Sequence, residues 1–473
     1  MDKNILTKLY AWIDERQDEI IENLCDVASI RSVSDAKSDV KPYGQGCLDV
    51  LNKMLEKGKA AAFKTQNFDN YVGSILYETE AAKENTIGVW AHLDVVPEGE
   101  GWTMTEPYKP TLKDGLLFGR GVGDNKSAAI GTFYIQQAIR ALNIPLKHNI
   151  ELFLGTSEET GMSDVEYYVA HYPTPKFSLV PDAGFPGVCG EFGRVQYDLV
   201  SDTTLSSDIV DLYAGSVFNI IPNKATVVLK KNAELDLTKI PQENFTVTQT
   251  EDLVTIEAAG LSRHAAMPEG SINAIYQLTK VLKDLPGLKA SDQEIFKFLT
   301  DVNEDSYGTF LGFAKTDDIS GQTVSSGTVL KVKEGHVYLT NDCRHCVTDT
   351  NEHIIDMISK TAAKHQFHLE VLLQSKPAFI DQNSQAVQTI SKIYREYTGD
   401  EEKEMRIGKG GTYAGKIPMA VATSITLKDE EVSIELPAGH GGAHQPDEYI
   451  SVKGYMEGIK LLATIILNLD EVL

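Results

Sequence analysis

Residues 86–94 read TIGVWAHLD, an apolar run that ends on a histidine and an aspartate. The part at 86–91 is typical of a buried strand, and similar short apolar runs recur at 149–154 and 177–180. A helical periodicity occupies 126–142, between the first two runs. This alternation predicts an α/β fold with parallel strands.

Acidic or imidazole side chains directly follow each of these predicted strands. His92 and Asp94 follow the first, Glu158 and Glu159 the second, and Asp182 the third. In open α/β sheets, functional sites form beyond the carboxyl ends of the parallel strands. We therefore expect these side chains to converge on one site.

The pattern changes near residue 190 to alternating, strand-like segments with two helical patterns among them, and long helical periodicity returns after 377. This predicts a discontinuous catalytic domain interrupted by an α+β insert. The expected parts are 1–189 for the first part of the catalytic domain, 190–377 for an insert of two subdomains, and 378–473 for the second part.

The chain has 473 residues, with 44 Lys and Arg against 68 Asp and Glu, so its formal net charge is −24. Such a charge repels phosphate backbones and anionic lipid surfaces, which argues against nucleic-acid or membrane partners. Residues 1–31 are predicted to form one amphipathic helix and not a signal peptide. No apolar run approaches the roughly 20 residues that span a bilayer. We predict a cytoplasmic protein.

The five cysteines are an odd number and mostly scattered, which is untypical of a disulfide framework and agrees with a reducing compartment. Cys343 and Cys346 form a C-x-x-C at the end of a predicted strand, 336–342. Residues three apart on a strand point to opposite faces. We interpret these two as packing residues, with a dithiol or metal site as the alternative.

Residues 119–126, GRGVGDNK, resemble a dinucleotide-binding loop, but Asp124 replaces the third glycine and would repel a pyrophosphate. A carboxylate on such a bend is well placed to bridge two cations. The alternative is that Asp124 caps the following helix.

Residues 155–161, GTSEETG, place two adjacent carboxylates at a strand end, and residues 441–448 supply a histidine, His444. Neighbouring acids are often a solvated turn. In a hydrolase, however, one acid can bind a metal while the other takes a proton from water.

The loop 410–416, GGTYAGK, imitates a phosphate-binding loop, but Ile417 stands where the metal-binding Ser or Thr is required. Its backbone N–H groups could hold an anion, or the loop could be a tight turn. Both interpretations stay open.

Taken together, these motifs resemble metallopeptidase family M20, and most of all its dipeptidases of the bacterial PepV type. The motifs occur in the family's order: His92-x-Asp94, Gly-x-Gly-Asp124-x-Lys126, Ser157-Glu158-Glu159, Asp182 and Ala443-His444-Gln445. The resemblance runs over nearly the whole chain. It implies a zinc-peptidase catalytic domain interrupted by a lid, and a dipeptide substrate with a free C-terminal carboxylate.

The resemblance also implies roles for single residues at a centre of two divalent ions, with zinc the default and manganese or cobalt possible. Asp124 would bridge the two ions, with His92 and Asp182 on one and Glu159 and His444 on the other. Asp94 would orient His92. Glu158 would be the general base that takes a proton from the attacking water and returns it to the leaving amine.

In peptidases of this kind the lid contributes to the substrate site. The resemblance assigns His264 to the oxyanion, Arg344 to the substrate carboxylate and Asn219 to the carbonyl side, with Gly411 and Thr412 near the carboxylate. The insert is about twice the size of the single lid of the dimeric relatives. It is therefore expected to reach its own active site, and the protein is expected to work as a monomer.

Two positions depart from the PepV pattern, which usually has an acid at each. Asn125 follows the bridging aspartate, and Gly184 lies two residues past Asp182. The expected consequences are one negative charge fewer near the ions and a changed contact with the substrate's free amine. The alternatives to a dipeptidase are an N-acyl amino acid deacylase or carboxypeptidase of the same family, and a non-catalytic metal- or peptide-binding protein.

Overall fold

A computed structural model describes residues 3–82, 85–430, 432 and 434–473. The chain forms two compact units. The body comprises Met1–Gly190 and Phe379–Leu473, and the insert comprises Glu191–Ala378. Among the described residues, no helix is both long enough and apolar enough to cross a membrane.

The secondary structure follows the two-unit division along the chain. Before the insert it consists of α1 (Lys3–Asp14), α2 (Gln17–Ala28), α3 (Gln45–Ala60), β1 (Lys64–Phe68), β2 (Val72–Tyr77), β3 (Thr86–His92), β4 (Thr111–Lys113), β5 (Leu116–Phe118), α4 (Lys126–Ala141), β6 (Asn149–Gly155), α5 (Ser163–His171), β7 (Phe177–Val180) and β8 (Val188–Glu191). The insert contains β9 (Gly193–Ser201), β10 (Ile209–Ala214), β11 (Lys224–Lys230), β12 (Phe245–Gln249), β13 (Leu253–Ala259), α6 (Ala274–Leu282), α7 (Ala290–Val302), β14 (Thr316–Asp317), β15 (Gly321–Gln322), β16 (Val324–Lys333), β17 (His336–His345), α8 (Asn351–Lys364) and β18 (Phe367–Ser375). The last part consists of β19 (Ala378–Phe379), α9 (Gln385–Thr398), β20 (Arg406–Gly408), β21 (Ala420–Ala422), β22 (Tyr449–Ser451) and α10 (Val452–Val472).

The predicted α/β fold is confirmed by the main sheet of the body. Its strands lie in the order β1-β2-β6-β3-β7-β21-β8-β19, and β20 pairs with β8. The pairs β6–β3, β3–β7 and β7–β21 are parallel. The carboxyl ends of β6, β3 and β7 therefore lie side by side at one edge of the sheet.

Strand β3 is an unbroken apolar run because both faces of the sheet are covered. Helix α4 packs against β3 and β6. Trp90 is fully buried in a cluster that includes Phe153, Tyr168 and Tyr413, and its ring stacks on that of Phe153 with centroids 4.1 Å apart. This packing keeps the polar side chains at the strand ends rather than along the strands.

A small second sheet of the body joins segments that lie far apart in sequence. Its strands lie in the order β22-β5-β4. Strands β5 and β22 are antiparallel, with Phe118 opposite Tyr449 and Leu116 opposite Ser451. The residues that follow β5 therefore lie beside those that precede β22.

The N-terminal prediction of one helix over 1–31 is wrong in the described part. Two helices, α1 and α2, are separated by Glu15 and Arg16, and Met1 and Asp2 lie outside the described residues. The apolar spacing continues across the interruption, since α1 buries Leu9 and Ile13 and α2 continues with Ile20. Periodicity alone could not reveal the break.

The insert is built on one antiparallel sheet of eight strands, in the order β12-β13-β11-β10-β16-β17-β9-β18. Helix α6 packs against β11 and β13, and α8 packs against β9 and β18, so the core lies between the helices and the sheet. Cys343 on β17 and Cys346 just beyond it are both buried and free. Their burial is what the interpretation as packing residues predicts.

Candidate metal centre

Three neighbouring parallel strands bring the predicted acids and the first histidine together. His92 is the last residue of β3, Asp182 follows β7, and Glu158 and Glu159 follow β6. The distance from Nε2 of His92 to Oδ2 of Asp182 is 3.7 Å. The side chain of His92 is buried, at 1% exposure.

The pairing of β5 with β22 adds Asp124 and His444 to the same site. Oδ1 of Asp124 lies 2.9 Å from Nε2 of His92, and its Oδ2 lies 3.1 Å from Nε2 of His444. The His444 Nε2 atom is also 3.0 Å from Oε1 of Glu159. One carboxylate therefore faces two imidazoles, each with a different oxygen.

The two structural alternatives for these acids do not hold. Helix α4 begins at Lys126 with no side-chain cap, and both oxygens of Asp124 face imidazoles instead. The turn with the two glutamates is not simply solvated, because the Glu159 side chain is only 9% exposed.

The donor set has the chemistry of a divalent-metal site. Ligand atoms of His92, Asp124 and Glu159 lie within 4.8 Å of one another, and so do those of His92, Glu158 and Asp182. Nδ1 of His92 lies 2.9 Å from the backbone oxygen of Asp94 and can donate to it. Such a bond on one ring nitrogen leaves the other free to bind a metal, as is usual for histidine ligands. The residues present therefore fit a metal centre.

Asp94 does more than the sequence suggested. Its backbone oxygen, rather than its carboxylate, lies closest to Nδ1 of His92, with the carboxylate Oδ1 at 3.5 Å. The carboxylate instead accepts hydrogen bonds of 3.1 Å from the backbone N–H groups of both Glu158 and Glu159. Asp94 thus holds the two glutamates in place as well as the histidine.

A second buried carboxylate, Asp164, continues this arrangement. It accepts hydrogen bonds from the backbone N–H groups of Thr156 at 2.6 Å and Ser157 at 2.8 Å, and the Tyr413 hydroxyl donates to it as well. Burial, then the nearby charge of Asp94, raises the pKa of Asp164 to about 6. The four consecutive amides from 156 to 159 are therefore all bonded to carboxylates, which fixes the turn that carries Glu158.

Asn125, one of the two departures from the family pattern, holds Asp182 through its side-chain amide. Its amide Nδ2 donates to the backbone oxygen of Pro181 at 2.8 Å and to Oδ1 of Asp182 at 3.1 Å. An ionised aspartate could donate neither bond. Gly184, the other departure, is exposed, and a Cβ there would meet open space.

The acids and histidines of the site shift the pKa values of one another. Hydrogen bonds to Asp124 and Glu159 raise the pKa of His444 to about 10. Burial would lower the pKa of His92, but its bonds to Asp124 and Asp94 outweigh it and raise that pKa well above the usual value. Burial, with repulsion from neighbouring acids, raises the pKa of both Glu158 and Asp182. A cation at this site would relieve the repulsion among the acids.

These shifts predict that metal binding at pH 7 releases protons. Because the pKa values of both histidines are raised, we expect both to carry a proton at pH 7 in the metal-free chain, whereas a metal ligand must be a neutral imidazole. Metal affinity should therefore rise as the pH rises toward about 10, where His444 becomes neutral. Titration calorimetry with Zn²⁺ at pH 7, in two buffers of different ionisation enthalpy, should give different heats. Equal heats would contradict the expected release, and the His444→Ala variant should release fewer protons than the wild type.

The insert brings its three predicted site residues into one neighbourhood. Nδ2 of Asn219 lies 3.4 Å from Nε2 of His264, and the two loops are joined by a β-bridge between Ile220 and His264. The backbone N–H of Ala266 donates to Nδ1 of His264, so a neutral ring carries its proton on Nε2. Burial, followed by the nearby Arg344 charge, lowers the pKa of His264.

Arg344 and Asp342 are buried, and beside them lies a partly exposed arginine, Arg194, that the sequence patterns did not identify. Arg344 donates to Oδ2 of Asp342 at 3.0 Å from Nη2, and Arg194 donates to Oδ1 of Asp342 at 2.9 Å. Two guanidinium groups share one carboxylate and leave an excess positive charge. In the described part of the chain, Nη2 of Arg194 has no hydrogen-bond partner. The spacing of Arg194 along its strand carries no signal of this role.

The loop at 410–416 forms a tight turn. Residues Tyr413–Gly415 make a single 3₁₀ turn, and Oγ1 of Thr412 accepts a hydrogen bond of 3.1 Å from the backbone N–H of Ala414. Gly411, the other predicted residue, is exposed in this loop. The buried Tyr413 attaches the loop to Asp164.

Comparison with known proteins gives this arrangement a family. The sequence model described as "Peptidase family M20/M25/M40" matches residues 88–468. The chain belongs to this family. It is 28% identical over 470 residues to "Putative dipeptidase YtjP" of Bacillus subtilis (strain 168), over 96% of this chain and 98% of the relative. It is 29% identical over 428 residues to "Beta-Ala-Xaa dipeptidase" of Lactobacillus delbrueckii subsp. lactis, over 86% of this chain and 89% of the relative.

A solved structure shows the same fold. Human carnosine dipeptidase 1 aligns with a TM-score of 0.55 at 16% sequence identity. The alignment covers 98% of this chain and 100% of the human chain. The chain is thus an M20 peptidase with the α/β fold expected of that family, and such peptidases use divalent metal ions.

Proposed function

We propose that this M20 peptidase is a dipeptidase that works with two divalent metal ions, by default zinc. The observation that carries the proposal is the carboxylate of Asp124, whose two oxygens face two different imidazoles, those of His92 and His444. Glu159 lies 3.0 Å from His444, and Asp182 lies 3.7 Å from His92. Relatives named as dipeptidases match almost the full length of the chain, which supports dipeptides as the substrate class.

In the proposed centre, Asp124 would be shared by the two ions, His92 and Asp182 would hold one, and Glu159 and His444 would hold the other. When bound, such ions polarise the peptide carbonyl and lower the pKa of water. Oxygen-rich sites of this kind also accept manganese or cobalt. On the family resemblance, Glu158 is proposed to stand outside the ligand set, as the candidate base, although its carboxylate also lies within 4.8 Å of ligand atoms of His92 and Asp182.

Glu158 takes one proton from the attacking water and returns it to the amine that leaves when the peptide C–N bond breaks. In the metal-free chain, burial, with repulsion from neighbouring acids, raises the pKa of its carboxyl. Asp94 and Asp164 hold the backbone of its turn, which limits the positions that its carboxylate can take.

The insert supplies the substrate contacts in this proposal. His264, neutral with its proton on Nε2, donates a hydrogen bond to the developing oxyanion. Arg344 binds the substrate's C-terminal carboxylate, and the excess positive charge that it shares with Arg194 and Asp342 supports this role. Asn219 contacts the carbonyl side, and the N–H groups of Gly411 and Thr412 assist at the carboxylate.

Three further properties stay predictions from the sequence. The protein is proposed to act as a monomer, because the large insert is expected to serve its own active site. It is proposed to lie in the cytoplasm, in agreement with its five free cysteines. Nucleic acids and membranes are not expected as partners of a chain with a formal net charge of −24.

The substrate class is tested with the metal-reconstituted protein on two panels, one of dipeptides and one of N-acyl amino acids. We expect dipeptides to be hydrolysed with kcat/KM at least about 100-fold above the N-acyl compounds, an energy difference of roughly 3 kcal/mol. A chelator should abolish the activity, and Zn²⁺, Mn²⁺ or Co²⁺ should restore it. Preference for N-acyl substrates would identify a deacylase or carboxypeptidase. Metal binding without hydrolysis of either panel would identify a binding protein.

A further inference from the structure

The glycine-rich loop at 119–124 forms an anion-binding pocket from its backbone N–H groups. The N–H groups of Gly121, Gly123 and Asp124 all donate to one atom, Oε1 of Glu448, at 3.1, 2.9 and 3.1 Å. Successive amides that point at one acceptor are the usual backbone pocket for an anion. Here the anion is a side chain of the same protein.

Arg120 completes this pocket from the other side. Its Nη1 donates to Oε2 of Glu448 at 2.6 Å, and the two side chains are only 1% and 2% exposed. The backbone N–H of Gly119 donates to the backbone oxygen of Glu448 at 2.9 Å, which extends the β5–β22 pairing by one bond. Both carboxylate oxygens and the backbone oxygen of Glu448 therefore accept hydrogen bonds from the loop that carries Asp124.

Gly121 is required for this shape. Gly121 has a φ of +82°, and a Cβ at this position would lie 2.8 Å from Cγ1 of Val95. The resemblance of 119–126 to a dinucleotide loop thus has a physical basis, because the sequence does make an anion pocket. The pocket is filled by Glu448 and is closed to a phosphate.

We propose that Glu448 is a positioning residue for the metal centre. Its Oε1 accepts a hydrogen bond from the backbone N–H of Asp124. Glu448 therefore fixes the backbone position from which the proposed bridging carboxylate extends. It also lies four residues after His444 in the sequence. The segment 444–448 therefore contributes one proposed metal ligand, His444, and fixes the loop that carries the proposed bridging ligand, Asp124. It thereby links the positions of these two ligands. This inference rests on the proposed metal-dependent function.

The test uses the full chain with Glu448→Ala, which empties the pocket but leaves its N–H groups and Arg120. In the metal-free protein, hydrogen exchange at the amides of 121, 123 and 124 should rise at least about tenfold. Zn²⁺ affinity by calorimetry should fall roughly 10–100-fold, as for other groups that support a metal ligand. Added acetate, at constant ionic strength against chloride, should restore both measurements in part by refilling the pocket.

The matched control is Asp470→Ala in the same unit. The buried carboxylate of Asp470 also accepts backbone N–H groups, those of Lys147 and His148, at 2.8 to 3.0 Å. Its loss should lower the melting temperature without changing Zn²⁺ affinity or exchange at 119–124. Acetate should have no effect on these two measurements in that variant.

If Glu448→Ala does not fold, Glu448→Gln keeps the volume and replaces the charge. Its remaining oxygen can still accept from the N–H groups of the loop, although its amide N–H₂ would face Arg120, so a smaller loss of Zn²⁺ affinity than in Glu448→Ala is expected. Folded variants with wild-type metal affinity and wild-type exchange at 119–124 would overturn the inference. If the wild type itself binds no divalent ion, the proposed function fails, while hydrogen exchange still tests the hold of Glu448 on the loop.

Discussion

Replacement of Glu158 by alanine should lower kcat/KM for a dipeptide by about 10²–10⁴-fold, the usual contribution of a general base. Both metal ions should stay bound, because Glu158 is not among the five proposed ligands. The remaining ligand atoms keep their positions, since Asp94 holds the backbone and not the side chain of residue 158. Activity assays and metal analysis of the purified variant give the two measurements.

Two control variants make this result specific. Glu166→Ala removes an exposed acid of the same unit, which pairs with Lys416, and should leave activity unchanged. Glu159→Ala removes the neighbouring acid, which lies 3.0 Å from His444, and should lose metal as well as activity. A Glu158→Ala variant with near-normal turnover would show that another group takes the proton. Loss of metal from that variant would show that Glu158 is a ligand.

Replacement of Asp124 by alanine should weaken the binding of both ions and reduce activity below detection in a stoichiometric metal solution. Its two oxygens face His92 at 2.9 Å and His444 at 3.1 Å, so its loss removes a donor from each proposed ion. The Asp124 carboxylate also raises the pKa of His444, and this pKa should fall in the metal-free variant. Calorimetry with Zn²⁺ and NMR titration of the histidines give the measurements.

Comparison with single-ion variants decides whether Asp124 is the bridge. Asp182→Ala and His444→Ala should each weaken one ion and leave the other with its wild-type affinity. Asp124→Asn keeps the size of the side chain and one oxygen, and should lie between the wild type and Asp124→Ala. If Asp124→Ala still binds two ions with wild-type affinity, the proposed ligand set is wrong. If it loses only one ion, Asp124 is a terminal ligand.

Local pattern was sufficient for much of the body. The predicted strand at 177–180 coincides with β7, and the predicted strand at 149–154 differs from β6 by one residue. Buried parallel strands are continuous apolar runs, which makes them visible in a sequence. The N-terminal helix was predicted as one element because its apolar spacing continues across Glu15 and Arg16. When two helices keep the same spacing of buried residues across the break between them, the hydrophobic periodicity does not reveal the break.

The candidate site was predictable to the extent that its residues sit at the ends of recognisable strands or in quoted motifs. His92, Glu158, Glu159 and Asp182 belong to this class. The supporting residues do not, since Asp164 and Glu448 are two among 68 acids and Arg194 is one of many cations. Nothing in their neighbours along the chain separates a buried carboxylate that accepts backbone N–H groups from an exposed one.

The sequence by itself determined the types of ligand, their order along the chain and the α/β layer that carries them. These features follow from short-range patterns, because a strand end and the polar residue after it are adjacent in the chain. Only the tertiary structure decided which groups meet and what holds them. Asp124 meets His444, and Glu448 fills the glycine loop, because β5 pairs with β22 across more than 300 residues. Such a pairing depends on the packing of the whole unit, and no local spacing encodes it.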